Sequence, residues 1–354
     1  MAQRVLVINP FGVGDVLFST PLVSALKEQY SGSYIAYICN TRTKEILETN
    51  PDIDSVFVFE RDEYRKLWKK SKTKSIREFW KFWKRVAMEK FDIVIDLSMG
   101  KEFAFLCWLI GIKERRGFNY KGRGRFLTHK IAFNGFNDKP VAEYYLDIIR
   151  RVTGCGLRVT GTVLLPIEED RIYIDKFLKC KKSLLIGIAP GGGISFGKKD
   201  QDRRRWGAAK FSQLADSIVE KYNANIVLIW GPGEEDLAKE ISSLMKHDAL
   251  IAPATTIRQM AELCKRCGTV ICSEGGPLHI AVSQGIKTIS IFGPVDEKVY
   301  GPYPASKNNI VVASSRECRP CYKRFKLPEC AAKECIEEIS VDKVLDAFIM
   351  VMSK

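Results

Sequence analysis

The chain has 354 residues, enough for two domains of ordinary size, each with its own core. Hydrophobic residues make up 46% of it, and no run approaches the ~18–20 apolar residues of a membrane span, which argues against disorder and a spanning helix. The net charge is +14 and uneven: Lys and Arg outnumber Asp and Glu by 28 to 18 over residues 1–165 but by only 28 to 24 thereafter, so the first half implies an anionic partner.

The N-terminus starts a strand directly, without a cleavable signal pattern. Eleven cysteines, most inside apolar runs, suit a reducing cytoplasm. Arg4–Ile8 reads as a buried strand, Asn9–Asp15 as its loop, and Val16–Tyr30 as a helix. Gly12-x-Gly14 is half of a dinucleotide fingerprint, with Leu17 where the third glycine belongs. Asp15 falls where the helix begins; an Asp there is commonly a cap, and the helix terminus favours its anion. Strands follow at Tyr34–Cys39 and Val56–Phe59. Asp62–Lys90 then reads as a long basic helical region interleaved with Trp68, Phe79, Trp80, Phe82 and Trp83, either a solvated helix or a membrane-surface contact. A strand at Phe91–Asp96 and a helix at Ala104–Ile110 lead to Lys113–Lys130, a basic loop able to meet acidic groups. Val141–Val152 reads as the last helix of a first domain, and Gly154–Pro166 as the passage to a second.

The alternation restarts with helix Glu168–Lys179 and strand Ser183–Ala189. Pro190-Gly191-Gly192-Gly193 then offers backbone N–H groups to a phosphate, with Lys198, Lys199, Arg203, Arg204 and Arg205 beyond it. Helix Ala208–Tyr222 and strand Asn225–Trp230 lead to Glu234 and Glu235 in a strand-end turn, where carboxylates bind ribose hydroxyls. After helix Ile257–Cys267 comes a βαβ unit: strand Thr269–Cys272, turn Ser273–Pro277, helix Leu278–Gln284 and strand Thr288–Phe292. Glu274, Gly275, Gly276 and His279 stand at that helix start, an anion-binding position. The tail holds Cys318, Cys321, Cys330 and Cys335, which could hold a structural zinc ion, stay reduced or form disulfides. Ile339–Met352 closes the chain as an amphipathic helix. The expectation is an α/β protein of two Rossmann-like parallel-sheet domains facing a central cleft, residues 1–160 and 161–338, with a terminal helix over 339–354.

Three motifs carry a resemblance: Phe11-Gly12-Val13-Gly14-Asp15 running on to Thr20-Pro21, Arg204-Arg205-Trp206, and Glu274-Gly275-Gly276-Pro277-Leu278-His279 with Phe292-Gly293-Pro294. With them the chain resembles the bacterial lipopolysaccharide heptosyltransferases, of GT-B architecture, almost end to end. The likeness implies transfer of a heptose-like sugar from an ADP-heptose-like donor to an anionic glycolipid core, inverting, without metal or other cofactor. It makes Asp15 the general base and puts Gly192, Gly193, Lys199, Arg204, Glu234, Glu235, Glu274, Gly275, Gly276 and His279 around the nucleotide sugar. Gly12, Gly14, Arg123 and Arg125 go to the acceptor. It implies a cytoplasmic enzyme, peripheral at the inner face of the cytoplasmic membrane, with no nucleic-acid partner. Where the family has Asp, a hydroxyl residue, Lys and Pro, this chain has Glu274, Gly275, Arg204 and Gly207. The rival readings are a Rossmann-type NAD-dependent oxidoreductase, weakened by the missing glycine, and a basic nucleic-acid-binding protein, supported by no binding motif.

Overall fold

The computed structural model describes residues 3–154, 160–179, 184–193, 203–330 and 332–353. The chain divides into two compact units, Met1–Phe136 with Val141–Val163, and Asn137–Pro140 with Leu164–Lys354.

The first unit runs β1 (Arg4–Ile8), α1 (Val13–Gln29), β2 (Tyr34–Cys39), α2 (Lys44–Glu48), β3 (Ser55–Val58), α3 (Arg61–Lys70), α4 (Lys72–Met88), β4 (Ile93–Asp96), α5 (Glu102–Leu109), β5 (Glu114–Tyr120), β6 (His129–Phe133) and α6 (Val141–Thr153). Its strands form one parallel sheet in the order β3-β2-β1-β4-β5-β6. The central strands are Val- and Ile-rich and buried, as sheets covered on both faces require.

α1 begins three residues before the helix expected from the sequence, with Gly12 as its N-cap. Pro21 inside it has no N–H for the Leu17 carbonyl. The Thr20 hydroxyl donates to that carbonyl instead, at 2.8 Å, and accepts from Val163 N–H at 2.8 Å. The Thr-Pro pair thereby ties the unit's last segment to its first helix.

Two expectations fail here. The basic region 62–90 is two helices, because Ser71 leaves the helical conformation (φ −160°, ψ 109°) and caps α4 by accepting from Lys74 N–H. Phe82 and Trp83 are buried core, while Trp68 and Trp80 are exposed. Lys113–Lys130 is no free loop either: it supplies β5, a 3₁₀ turn at Gly124–Phe126 and the start of β6.

The second unit runs α7 (Glu168–Leu178), β7 (Leu185–Ala189), α8 (Ala208–Tyr222), β8 (Asn225–Leu228), α9 (Glu235–Leu244), β9 (Ala249–Ile251), α10 (Ile257–Arg266), β10 (Thr269–Ser273), α11 (Gly276–Ser283), β11 (Lys287–Phe292), α12 (Glu297–Tyr300), β12 (Asn309–Ala313), α13 (Glu334–Glu337) and α14 (Val341–Met352). Its parallel sheet is ordered β12-β11-β10-β7-β8-β9, the order of the first sheet repeated. α14 belongs to this core: Phe348 is fully buried, and its ring meets Tyr222 edge-on at 5.2 Å.

Each sheet has one point where strand order reverses, between β1 and β4 in the first and between β7 and β10 in the second. Loops leaving the carboxyl ends of such a pair diverge and leave room for a ligand.

Candidate active site

At the second unit's reversal point, two glycine loops lie against each other. Gly275 has φ +142°, and a Cβ there would stand 1.9 Å from the Gly192 carbonyl oxygen. Gly192 has φ +76°, and its Cβ would meet the Glu274 carbonyl oxygen at 2.6 Å. The hydroxyl residue of the family pattern does not fit such backbone contact, which accounts for Gly275. Ser273 Oγ donates to the Pro190 carbonyl at 2.8 Å and holds the β7 and β10 loops together.

Glu234 is 2% exposed beneath this pair. Its two carboxylate oxygens accept from Gly193 N–H at 2.9 Å and Gly231 N–H at 3.1 Å, and Arg205 lies 3.7 Å away. A Cβ on Gly191 would fall 2.0 Å from that carboxyl group. The ribose role expected from the sequence therefore finds Glu234 already engaged as a clamp between the β7 and β8 loops. Glu235 is exposed at the start of α9 and pairs with Lys239 at 2.8 Å.

Nearby in the chain, Trp206 is anchored in the core, its indole N–H donating to the Ile339 carbonyl at 2.8 Å, and Arg204 is buried. Its Nε donates to Glu274 Oε1 at 2.6 Å and one Nη to the Glu274 carbonyl at 3.2 Å. Part of its fork is thus spent inside the protein. Burial pushes the Glu274 carboxyl above the usual carboxylate range, with Arg204 pulling the other way. Glu274 Oε2 is buried without a hydrogen-bond partner among the described residues. His279 is buried in the first turns of α11; desolvation, and then the Arg204 charge, push its imidazole down to about 4. At neutral pH it is an uncharged donor, not a cation. Lys199, with Lys198, lies outside the described residues.

The tail adds a residue the sequence reading overlooked. Arg319 donates to the Gly293 carbonyl at 2.6 Å and pairs with Glu297 at 2.8 Å, and its charge also lowers Glu274. The signal was its place inside Cys318-Arg319-Pro320-Cys321, which meets the loop that Gly293-Pro294 opens after β11. Cys318 and Cys330 are exposed, whereas Cys335 is buried in α13, its thiol pushed up to about 11 by burial and by the other three tail cysteines. Among the described residues, no group of three or more His, Cys, Asp or Glu could hold a metal ion, so the tail as placed does not fit a zinc site.

In the first unit, β1 delivers Asn9–Asp15. Buried Asn9 donates to the Asp15 carbonyl at 3.1 Å and accepts from Phe11 N–H; Asn40 donates to the Phe11 carbonyl at 2.6 Å. Asp15 is the third helical residue, not the cap, and its Oδ2 accepts from Gly12 N–H at 3.3 Å. Gly12 has no side chain to return the bond, so only one arm of a capping box exists. Gly14 sits between them in the first turn. Asp15 keeps some exposed surface, but desolvation of its carboxyl outweighs the backbone bonds and pushes it up to about 6. The helix terminus alone would favour the anion; burial reverses that direction. At the end of neighbouring β4, buried Asp96 is likewise pushed up to about 6 by desolvation. Sequence reading passed over it as a strand end.

Arg123 and Arg125 are exposed in the β5–β6 connection, Arg123 lying 5.9 Å from the Tyr120 ring. Other cations of that stretch are structural: Arg116 is 3% exposed, paired with Glu114 at 2.7 Å and bonded to the Tyr30 hydroxyl.

The fold has counterparts among known proteins. The family model "Glycosyltransferase family 9 (heptosyltransferase)" matches residues 79–332. Lipooligosaccharide heptosyltransferase 2 of Campylobacter jejuni is 28% identical over 357 residues, covering 97% of this chain and 98% of its own. A glycosyltransferase family 9 structure from Veillonella parvula superposes with TM-score 0.81 at 21% identity, over 100% of this chain and 98% of its own. The E. coli heptosyltransferase WaaC with ADP-2-deoxy-2-fluoro heptose gives 0.70 at 17%, over 98% and 99%. The structural likenesses show the fold, two Rossmann-like sheets in GT-B architecture.

Proposed function

The chain belongs to glycosyltransferase family 9, the heptosyltransferases, and is a glycosyltransferase; from that premise we propose that it moves a heptose from an ADP-linked donor to an anionic lipopolysaccharide-core acceptor. The second unit would hold the donor and the first the acceptor, with inversion at the anomeric carbon, no metal ion, and Asp15 as general base.

The observation that carries the donor half is the pair of apposed glycine loops at the second sheet's reversal point, with Arg204, Arg205 and His279 around them. Glycosyl transfer needs stabilisation of a departing diphosphate. Backbone N–H groups at the start of α11, neutral His279 and the guanidinium groups supply it by hydrogen bonds and charge. Glu234 acts here by fixing the β7 loop. Its clamp on Gly193 and Gly231 supports a positioning role over the ribose contact the family likeness implies.

Asp15 carries the acceptor half. A carboxylate with its proton affinity raised to about 6 is still mostly ionised at neutral pH, and it is a better base than an ordinary aspartate. It takes the proton of the acceptor hydroxyl as that oxygen bonds to the anomeric carbon. The bond to the diphosphate breaks, and its electron pair leaves with the phosphate oxygen. The exposed basic residues of α3, α4 and the β5–β6 connection, Arg123 and Arg125 included, suit a phosphorylated glycolipid at a membrane surface. No helix among the described residues is long and apolar enough to cross a membrane.

Mass analysis of a lipid-free core oligosaccharide incubated with ADP-heptose tests the reading, and a gain of one heptose is expected. Transfer from UDP- or GDP-sugars with none from ADP-heptose would overturn the donor assignment.

A further inference from the structure

We propose that the outward face of α5, together with Phe126, is a docking surface for an anionic lipid bilayer. α5 buries Ala104 and Cys107 against the sheet and turns Phe105, Trp108 and Leu109 outward, at 37%, 50% and 49% exposure. These positions, spaced by three and four, form one stripe of helix surface. Phe126 closes it, its ring 5.0 Å from Phe105 and 5.8 Å from Trp108. A contiguous apolar patch of this kind, unlike scattered exposed side chains, marks a surface that something covers. α4 packs over the same face of the sheet, Trp83 lying 6.1 Å from Phe103, and it exposes Ile76 and Trp80 in turn. Among the described residues, the seven large hydrophobics exposed in the first unit all fall between Trp68 and Leu109.

Charge decides the occupant. Residues 101–130 carry eight Lys and Arg against two Asp and Glu, and Lys101, Lys113, Lys121, Arg123, Arg125 and Lys130 are exposed. In a twofold contact between two copies, such a fringe would face itself and repel. Apolar rings set among cations match instead the interface of a bilayer with anionic headgroups: Trp and Phe enter the headgroup–acyl boundary, and Lys and Arg meet the phosphates. The inference rests on the proposed glycolipid acceptor, since such a surface brings the acceptor unit to the layer where that lipid lies.

The full chain is sedimented with phosphatidylethanolamine vesicles, with and without phosphatidylglycerol, as wild type and as Phe105→Ser/Trp108→Ser/Leu109→Ser. Wild type should bind the phosphatidylglycerol vesicles, and partition should fall by about tenfold or more in the triple variant, with its melting temperature kept. Should that variant misfold, brominated lipid provides the second arm: it should quench wild-type tryptophan emission, and less so in Trp108→Phe. Equal binding by a folded triple variant, no binding by wild type, or a dimer that the variant splits would each overturn the proposal. Transfer to the lipid-free acceptor should be the same in wild type and variant. Wild type that binds vesicles yet transfers no sugar would sink the catalytic reading and leave the docking surface standing.

Discussion

Asp15 is held in a place that costs it ionisation, and that cost gives its role a pH signature. Its folded pKa, about 6, lies above the ordinary 3.8, so between those values the folded state binds more protons than the unfolded. Stability therefore falls as pH rises through this window, by on the order of 1–3 kcal/mol for the one group. Asp15→Asn keeps an acceptor for Gly12 N–H and removes the burden, so its melting temperature at pH 7–8 should equal or exceed wild type. Turnover should drop by roughly 10²–10⁴-fold. Wild-type activity should fall as pH drops through about 6. His279, lowered to about 4, contributes no such limb. Asp96 could imitate it, and Asp96→Asn decides: a limb near 6 that survives this change belongs to Asp15. Near-normal turnover in Asp15→Asn would remove the residue from catalysis. At Arg204 the same logic concerns pairing. Arg204→Ala strands the buried Glu274 and should cost ~3–5 kcal/mol, much of it recovered by adding Glu274→Gln. If Arg204 also holds the diphosphate, ADP affinity stays weakened in the double variant, which calorimetry reads directly; wild-type affinity there would make the pair purely structural.

Elements rich in one kind of signal were legible, and elements whose stability is tertiary were not. Helix Ala208–Tyr222 could be placed from sequence to the residue, because its apolar period runs unbroken from Ala208 to the Tyr222–Asn223 stop. β5 and β6 were hidden by their basic residues: Arg116 is buried only because Glu114 and Tyr30 receive it, and edge strand β6 turns His129, Lys130 and Ala132 outward. Edge strand β12, only partly buried, gave equally little pattern. The break at Ser71 carries neither Gly nor Pro. Within the site, the glycine turns could be seen in the sequence, but their apposition could not, since it depends on strands 83 residues apart in the chain bonding at Ser273 and Pro190. That apposition is testable. Gly275→Ala would force a Cβ against the Gly192 carbonyl, whereas Gly285 has φ +70° with nothing within 4 Å. Gly285→Ala should cost only the left-handed penalty, ~1–2 kcal/mol. Gly275→Ala should cost more and abolish ADP binding, as melting curves with and without ADP would report. Equal losses at the two positions would mean the loops do not meet.

At the scale of the whole molecule, one strand order is used twice and given two chemistries. The first sheet's reversal point presents a carboxyl group pushed toward neutrality and is set in the more basic half of the chain. The second presents glycine turns, the buried Arg204 guanidinium and a neutral imidazole. A nucleotide diphosphate is a polyanion that needs close backbone approach, and the apposed glycine turns of the second point are suited to it. ADP binding the folded protein must stabilise it by mass action, ~2.7 kcal/mol at a hundred times its dissociation constant. Where that stabilisation appears is the informative part. Amide hydrogen exchange with and without ADP should show new protection at residues 190–193, 231–235 and 273–279, with the Asn9–Asp15 segment at the start of α1 unchanged. The Glu234 clamp sharpens the expectation, because a ligand resting on Gly193 tightens the N–H that Glu234 already holds. Protection confined to the first unit, or spread evenly over both, would refute the division of labour, since it would put the nucleotide beside Asp15 and leave the paired glycine turns without a ligand.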